Sequence, residues 1–234
     1  MANDLLDTFF DTGSADVIEE WCVPLPSAIF LSIMGLPQDD LPEFHAFVRA
    51  QLRPDRSLPR DVILEQMSAA ADRLYAYFDK IYLDRTSQYS LGEDLIGWIL
   101  ASGDNGRITR EEFLDVMYLL MMAGLDTVTA SLGCILSYLA RNPEHRRQLI
   151  EDPSLWPAAV EELMRFETPV QYAQRKADVD LPLPSGETIP ADTLMYVSWS
   201  AANLDPDAFA DPLEVNLTSV PIPTYRTRAA GIGA

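Results

Sequence analysis

Between Thr109 and Arg141 the apolar residues recur at helical spacing, and the pattern stops only at Asn142-Pro143. Thr109 with Glu112 three residues on forms a capping box at its start. The run is 33 residues long, about 50 Å as one α-helix. A helix this long and this apolar is expected to cross the middle of a domain, buried on most sides. It constrains everything else, because the rest of the chain has to be built around it. Asp115 and Asp126 leave ten uncharged residues between them, and fourteen more lie between Asp126 and Arg141. Neither stretch reaches the ~18 residues a membrane span needs, so no membrane association is expected.

The flanking sequence is also largely helical. Short amphipathic segments are expected at Asp4–Phe10 and Asp16–Trp21, with Pro24-Leu25-Pro26 as a break. Ser27–Met34 follows and ends on Gly35, a natural C-terminal glycine. Leu41–Leu52, the long Arg60–Arg85 and the short Asp94–Ala101 are further helices, then Pro143–Ile150 and Pro157–Phe166 beyond the central run. The period then changes. Arg175–Leu183 and Thr188–Val197 alternate around Ser185-Gly186 and read as small β-hairpins, and Ala201–Leu217 is irregular. The fold class is therefore mainly α, with small β-hairpins.

The chain of 234 residues has a formal net charge of −19. That argues against nucleic acid and against an anionic membrane surface as partners. Cys22 and Cys134, the only two cysteines, give neither a disulfide framework nor a zinc pattern, so a reducing cytoplasm is the expected setting. Met1–Asp7 carries no signal-peptide pattern. After Glu214 the last twenty residues contain no acid. The 218–234 stretch is read as an atypical tail, disordered or frameshifted, following a partial domain at 1–217.

Two motifs can carry chemistry. Ala123-Gly124-Leu125-Asp126-Thr127 puts a glycine, an acid and an alcohol in the middle of an apolar helix. The glycine costs ~1 kcal/mol relative to alanine and leaves room for a flat ligand or for a packed neighbour. Thr127 either bonds back to a carbonyl or, at a bulge, presents its hydroxyl inward. Asp126 and Thr127 together form an acid–alcohol pair able to relay protons through water. Downstream, Glu162-Leu163-Met164-Arg165 places opposite charges at i and i+3, which by itself is an ordinary helix ion pair.

In order along the chain come the acid–alcohol helix, the Glu-x-x-Arg 35 residues later, Thr168-Pro169-Val170-Gln171, Arg175, Thr188-Ile189-Pro190-Ala191, and Ala201 to Pro212. With Met34-Gly35-Leu36-Pro37 upstream, this string resembles the bacterial cytochrome P450 family of haem-thiolate monooxygenases. The resemblance implies a haem cofactor, a small apolar organic substrate and a ferredoxin-type electron-transfer partner. It implies that Ala123 and Gly124 line the oxygen side of the haem and that Asp126 and Thr127 deliver protons. Arg175 is placed at a haem propionate, Val170, Ala173 and Gln174 near substrate, and Glu162 with Arg165 as a structural ion pair.

The chain departs from that family at both ends. The cysteine-bearing loop expected after Leu217 is absent, since Cys134 is the last cysteine, and the usual segment ahead of Met1 is absent too. The chain thus reads as a middle fragment with impaired oxygen insertion and no protein metal ligand. The alternative is a non-catalytic helical fragment without haem that binds an apolar ligand or a partner chain.

Overall fold

The computed structural model describes residues 1–87, 91–102 and 108–218. The expectations for the tail at 219–234 lie outside them. The described chain is mainly α-helical with two small sheets, and it separates into two compact units, Met1–Thr129 and Ala130–Ala234.

In the first unit, α1 (Ala2–Phe10) leads to a single wide π-helical turn at Ile18–Cys22, where the sequence suggests a short helix. The expected break at Pro24-Leu25-Pro26 is instead the opening of α2 (Pro24–Met34). A proline in the first turn loses no intrahelical hydrogen bond, so the same residues that end one segment start the next. Gly35 closes α2 at φ 70°, the left-handed conformation that glycine adopts without strain. Then come α3 (Leu41–Leu52), α4 (Arg60–Ser87) and α5 (Leu95–Leu100), whose N-cap Asp94 accepts from the Gly97 N–H. Both halves of the capping box open α6 (Arg110–Gly124).

The core of this unit is formed by α2 to α6. Phe44 on α3 meets Tyr77 of α4 edge-on at 5.1 Å and stacks on Phe78 at 6.1 Å. Phe113, Met117 and Met121 give α6 one fully buried stripe at four-residue spacing, and α6 packs on α3 and α4. The opposite stripe is open: Asp115, Leu119 and Ala123 are exposed.

The central run is not one uninterrupted helix. The helical geometry lapses at Leu125 and Asp126 before α7 (Thr127–Arg141) begins. Nor is it buried on most sides. Taken from Arg110 to Arg141, its most apolar 18-residue window is 22% buried and has a mean hydropathy of 1.7. By length and composition alone that stretch passes for a membrane span, contrary to the count of uncharged residues. Asp126 in its middle is nevertheless ion-paired to Arg53.

In the second unit, Ile135, Tyr138 and Leu139 of α7 cluster with Leu149 of α8 (Pro143–Glu151), Ala159 and Leu163 of α9 (Trp156–Glu167), and Leu217. β1 (Tyr172–Lys176) pairs antiparallel with β4 (Leu194–Ser198), and β2 (Leu181–Pro182) with β3 (Thr188–Ile189). The two alternating segments therefore pair with each other, as small antiparallel ladders about the Ser185-Gly186 turn. The turn at Ser185-Gly186, with Gly186 at φ 89°, folds one back on the other. A short helix, α10 (Trp199–Asn203), precedes the irregular 204–218 stretch.

Candidate functional site

In the first unit, Ala123, Gly124, Asp126 and Thr127 lie where the helix is interrupted. The Thr127 hydroxyl donates to the Ala123 carbonyl at 2.7 Å, and the buried Thr129 hydroxyl donates to the Leu125 carbonyl at 3.0 Å. These side-chain bonds engage carbonyls on the α6 side of the interruption. Asp126 accepts from the Arg53 guanidinium at 2.6 Å. The Asp126 side chain is largely covered and that of Arg53 is exposed, so the pair sits where Asp126 reaches towards solvent.

Gly124 is a packing position. A Cβ there would approach the Phe30 ring of α2 well inside 3.0 Å. The space vacated by the missing side chain is filled by an aromatic ring, not by a ligand cavity. Ala123 and Leu119, one turn apart, belong instead to the open stripe of α6. Of the two small residues, Ala123 is the one with a face available to a flat ligand.

A cavity of about 110 Å³ lies beside Asp126, lined by Glu19, His45, Arg49, Arg53 and Thr129 among others. His45 Nε2 is 2.9 Å from Ser27 Oγ, whose own proton goes to the Val23 carbonyl at 2.7 Å. Nε2 therefore donates to the serine, and the remaining nitrogen is Nδ1. Burial lowers the His45 pKa, Arg49 lowers it further, and Glu19 opposes both. Sequence reading singled out neither Arg53 nor Phe30, and it took His45 for a solvated surface side chain, whereas His45 is half-buried against Ser27. Arg53 and Asp126 are 73 residues apart, and no local spacing announces such a pair.

In the second unit, Arg165 is bound at every N–H. Nε and Nη2 donate to the two Glu162 oxygens at 2.7 and 2.8 Å. Nη1 donates to the carbonyls of Asn203 and Pro212, both at 2.9 Å, and Nη2 also to that of Glu214 at 3.0 Å. Glu162 in turn accepts from the Asn216 N–H at 3.0 Å, and the guanidinium lies 5.1 Å from the centre of the Phe209 ring. Both partners are buried. One ion pair thus ties α9 to the irregular segment from Asn203 to Asn216.

Val170 is exposed just before β1, and Ala173 is half-buried within it. Gln174 donates to the Tyr196 hydroxyl at 2.8 Å across the β1–β4 pair. Arg175 is exposed, and its Nη1 donates only to the neighbouring Gln174 carbonyl at 2.8 Å. Its guanidinium is paired with no carboxylate among the described residues, which suits it to an anionic group. Ala123 to Thr127 belong to the first unit and Glu162 to Arg175 to the second.

Taken unit by unit, two of these features suit parts of a haem. The open Leu119–Ala123 stripe suits the face of a flat apolar ring, and Arg175 suits a carboxylate. They do not supply an axial donor. Burial pushes both the Cys22 and Cys134 thiols up, away from the thiolate form. Among the described residues no three His, Cys, Asp or Glu side chains gather in a metal-binding group.

The family model for cytochrome P450 matches residues 52–218. A putative cytochrome P450 133B2 of Xylella fastidiosa is 30% identical over 93% of this chain and 54% of its own length. The biotin biosynthesis cytochrome P450 of Bacillus subtilis is 29% identical over 94% of this chain and 55% of its own. Among solved structures, the cytochrome P450 PksS of the B. subtilis bacillaene polyketide synthase superposes with a TM-score of 0.84 at 26% identity. It covers 94% of this chain and 55% of that one. P450BioI, solved with an acyl carrier protein ligated to hexadec-9Z-enoic acid, gives 0.83 at 28% identity over 95% and 56%. The chain spans about half the length of the curated relatives it matches.

Proposed function

Because the chain belongs to the cytochrome P450 family, we propose that it contributes the oxygen-side wall and the proton-handling residues of a haem monooxygenase acting on an apolar organic substrate. Haem, when bound, supplies the activation of dioxygen and the transfer of one oxygen atom. The chain's own residues do the rest. Ala123 and Leu119 offer an apolar face without bulk. Asp126, held by Arg53, keeps a carboxylate beside a cavity of about 110 Å³, and Thr127 places a hydroxyl one residue on. An acid and an alcohol side by side in the chain are suited to handing on protons. Arg175 takes an anionic edge of the cofactor, and Val170, Ala173 and Gln174 stand towards substrate. Glu162 and Arg165 fix the 203–216 segment and take no part in the chemistry.

The observation that carries this reading is the interruption of the helix at Leu125–Asp126, with Asp126 and Thr127 beside it and Ala123 exposed. A ferredoxin-type protein is the electron donor by family. The substrate class extends to an acyl chain held on a carrier, as in the solved P450BioI complex. A second reading, a haem-free helical fragment, is favoured by the burial that raises both cysteine thiols, Cys22 and Cys134, away from the thiolate form.

An absorbance spectrum separates the two. The chain is mixed with haem, reduced with dithionite and exposed to carbon monoxide. A Soret band that builds to a fixed stoichiometry supports haem binding, and Arg175→Ala is then expected to weaken uptake several-fold. A thiolate-type reduced-CO band indicates an intact ligand. No Soret change at any haem concentration leaves the haem-free reading standing.

A further inference from the structure

Residues 193–204 carry no charged side chain, in a chain whose net charge is −19. β4 lies in this stretch and reads Leu194-Met195-Tyr196-Val197-Ser198. It has a neighbour on one side only, because its sheet consists of β1 and β4. The bonds at the two ends of the ladder fix which groups face which way. The Ala177 N–H donates to the Thr193 carbonyl at 3.0 Å, and the Trp199 N–H donates to the Gln171 carbonyl at 2.9 Å. Backbone groups alternate sides along an antiparallel strand. The odd-numbered residues of both strands therefore turn to the ladder, and Leu194, Tyr196 and Ser198 turn their N–H groups to the open edge. Among the described residues these three N–H groups donate no hydrogen bond.

Folded proteins commonly guard a sheet edge with charge or proline. The outer edge of β1 is guarded in this way, by Arg175 and Lys176. β4 carries neither charge nor proline, and Leu194, Tyr196 and Val197 are exposed. A sheet of two strands is marginal by itself, and further strands stabilise it.

We propose that the open edge of β4 pairs with β4 of a second copy of this chain, antiparallel about a two-fold axis at Tyr196. The two small sheets then join as one sheet of four strands. In that register Tyr196 lies opposite Tyr196 of the second copy and exchanges two N–H···O bonds with it, and Leu194 lies opposite Ser198 in both directions. Met195 stands opposite Val197. Like charges directly opposite each other oppose such pairing, and here none meet. Two copies of a strongly acidic chain repel, and the repulsion is least where neither carries charge. The same pairing through β1 gathers Arg175 and Lys176 of both copies into one sheet. A five-residue edge covers far less than the roughly 1,600 Å² of a standard interface, so the dimer is weak and reversible. It stands apart from the haem reading.

The test is sedimentation equilibrium of the whole chain at about 0.15 M salt, where repulsion beyond about 8 Å is screened. A reversible monomer–dimer equilibrium is expected. Leu194→Pro removes an outward N–H and no bond of the β1–β4 ladder, and it should weaken the dimer about ten-fold or more. Tyr196→Lys keeps the backbone donors and sets like charges across the axis, with a similar loss expected. Lys176→Pro makes the same backbone change on the outer edge of β1 and should leave the affinity unchanged. A chain that stays monomeric up to its solubility limit overturns the proposal and leaves the edge to a strand of a different polypeptide. A dimer indifferent to Leu194→Pro and Tyr196→Lys, or one that Lys176→Pro dissociates as readily, overturns it too.

Discussion

At the scale of single residues, the most consequential side chain is Arg165. Its five N–H groups all have acceptors, and its partner Glu162 is buried with it. A buried pair of this kind contributes little net stability, because desolvating both charges offsets their attraction. Removing one partner is different. Arg165→Ala strands the Glu162 carboxylate and leaves three loop carbonyls without donors. A loss of about 3–5 kcal/mol is expected, read as a fall in the urea midpoint. Arg165→Lys should recover only part of it, since an ammonium offers three donors and no planar fork. A midpoint unchanged in Arg165→Ala would show that the 203–216 segment is held by other contacts. Gly124 makes the opposite case. Alanine gains about 1 kcal/mol in helix propensity, but its methyl group has to displace the Phe30 ring. Gly124→Ala is therefore expected to destabilise by about 1–2 kcal/mol. In a Phe30→Ala background the same change should become neutral or stabilising. Additive effects in that double-mutant cycle would mean that Phe30 is not what requires the glycine.

At the scale of elements, Asp94 joins three helices. Its carboxylate receives both Arg85 terminal nitrogens, from α4, at 2.6 and 2.8 Å, and the Gly97 N–H of α5 at 2.9 Å. It packs against Gly35, the C-terminal glycine of α2, so closely that no Cβ fits between them. The Arg85 hydrogen bond, first, and the Gly97 N–H hold its pKa below the ordinary value, against an opposing effect of burial. Unfolded, the group titrates near pH 3.9. A carboxyl whose folded pKa is depressed contributes stability fully above that value and loses it as pH falls through the lower folded one. Urea midpoints of the wild type should therefore drop below about pH 4, and Asp94→Asn should be less stable at neutral pH with a flatter acid limb. Equal steepness in both proteins would assign the acid limb to other carboxylates. This element was half legible in the sequence. Gly35 as a helix stop, Thr109 with Glu112 as a cap and Pro143 as an opening residue are local signals, and each stands where its spacing put it. Pro24-Leu25-Pro26 misled because proline punctuates a helix from either side. The alternation on either side of Ser185-Gly186 was legible too, and β1–β4 and β2–β3 pair antiparallel around that turn.

At the scale of the whole molecule, what the sequence showed was the order of motifs, and that order carries the family. What it did not show is which distant side chains complete each motif. Arg53 meets Asp126, Phe30 fills the place beside Gly124, and Asn216 reaches Glu162 across 54 residues, none of which a spacing rule predicts. Nor did it show how much apolar surface stays open. Phe10, Trp98 and Leu119 are 78%, 69% and 63% exposed, and Ile150 and Val179 are similarly open in the second unit. Opposing this surface is the charge of −19. Repulsion between copies reaches about a Debye length, roughly 30 Å at 0.01 M salt and 3 Å at 1 M, whereas apolar attraction does not weaken with salt. The two effects therefore separate along a salt series. The chain is expected to stay dispersed at low ionic strength and to associate reversibly as salt rises, with the mean mass in light scattering increasing with protein concentration. Leu119→Gln should shift that onset to higher salt, because Leu119 is in the open stripe of α6 and supports no buried core. A mass that stays monomeric from 0.01 M to about 1 M salt would show that the exposed apolar residues are too scattered to act as one surface.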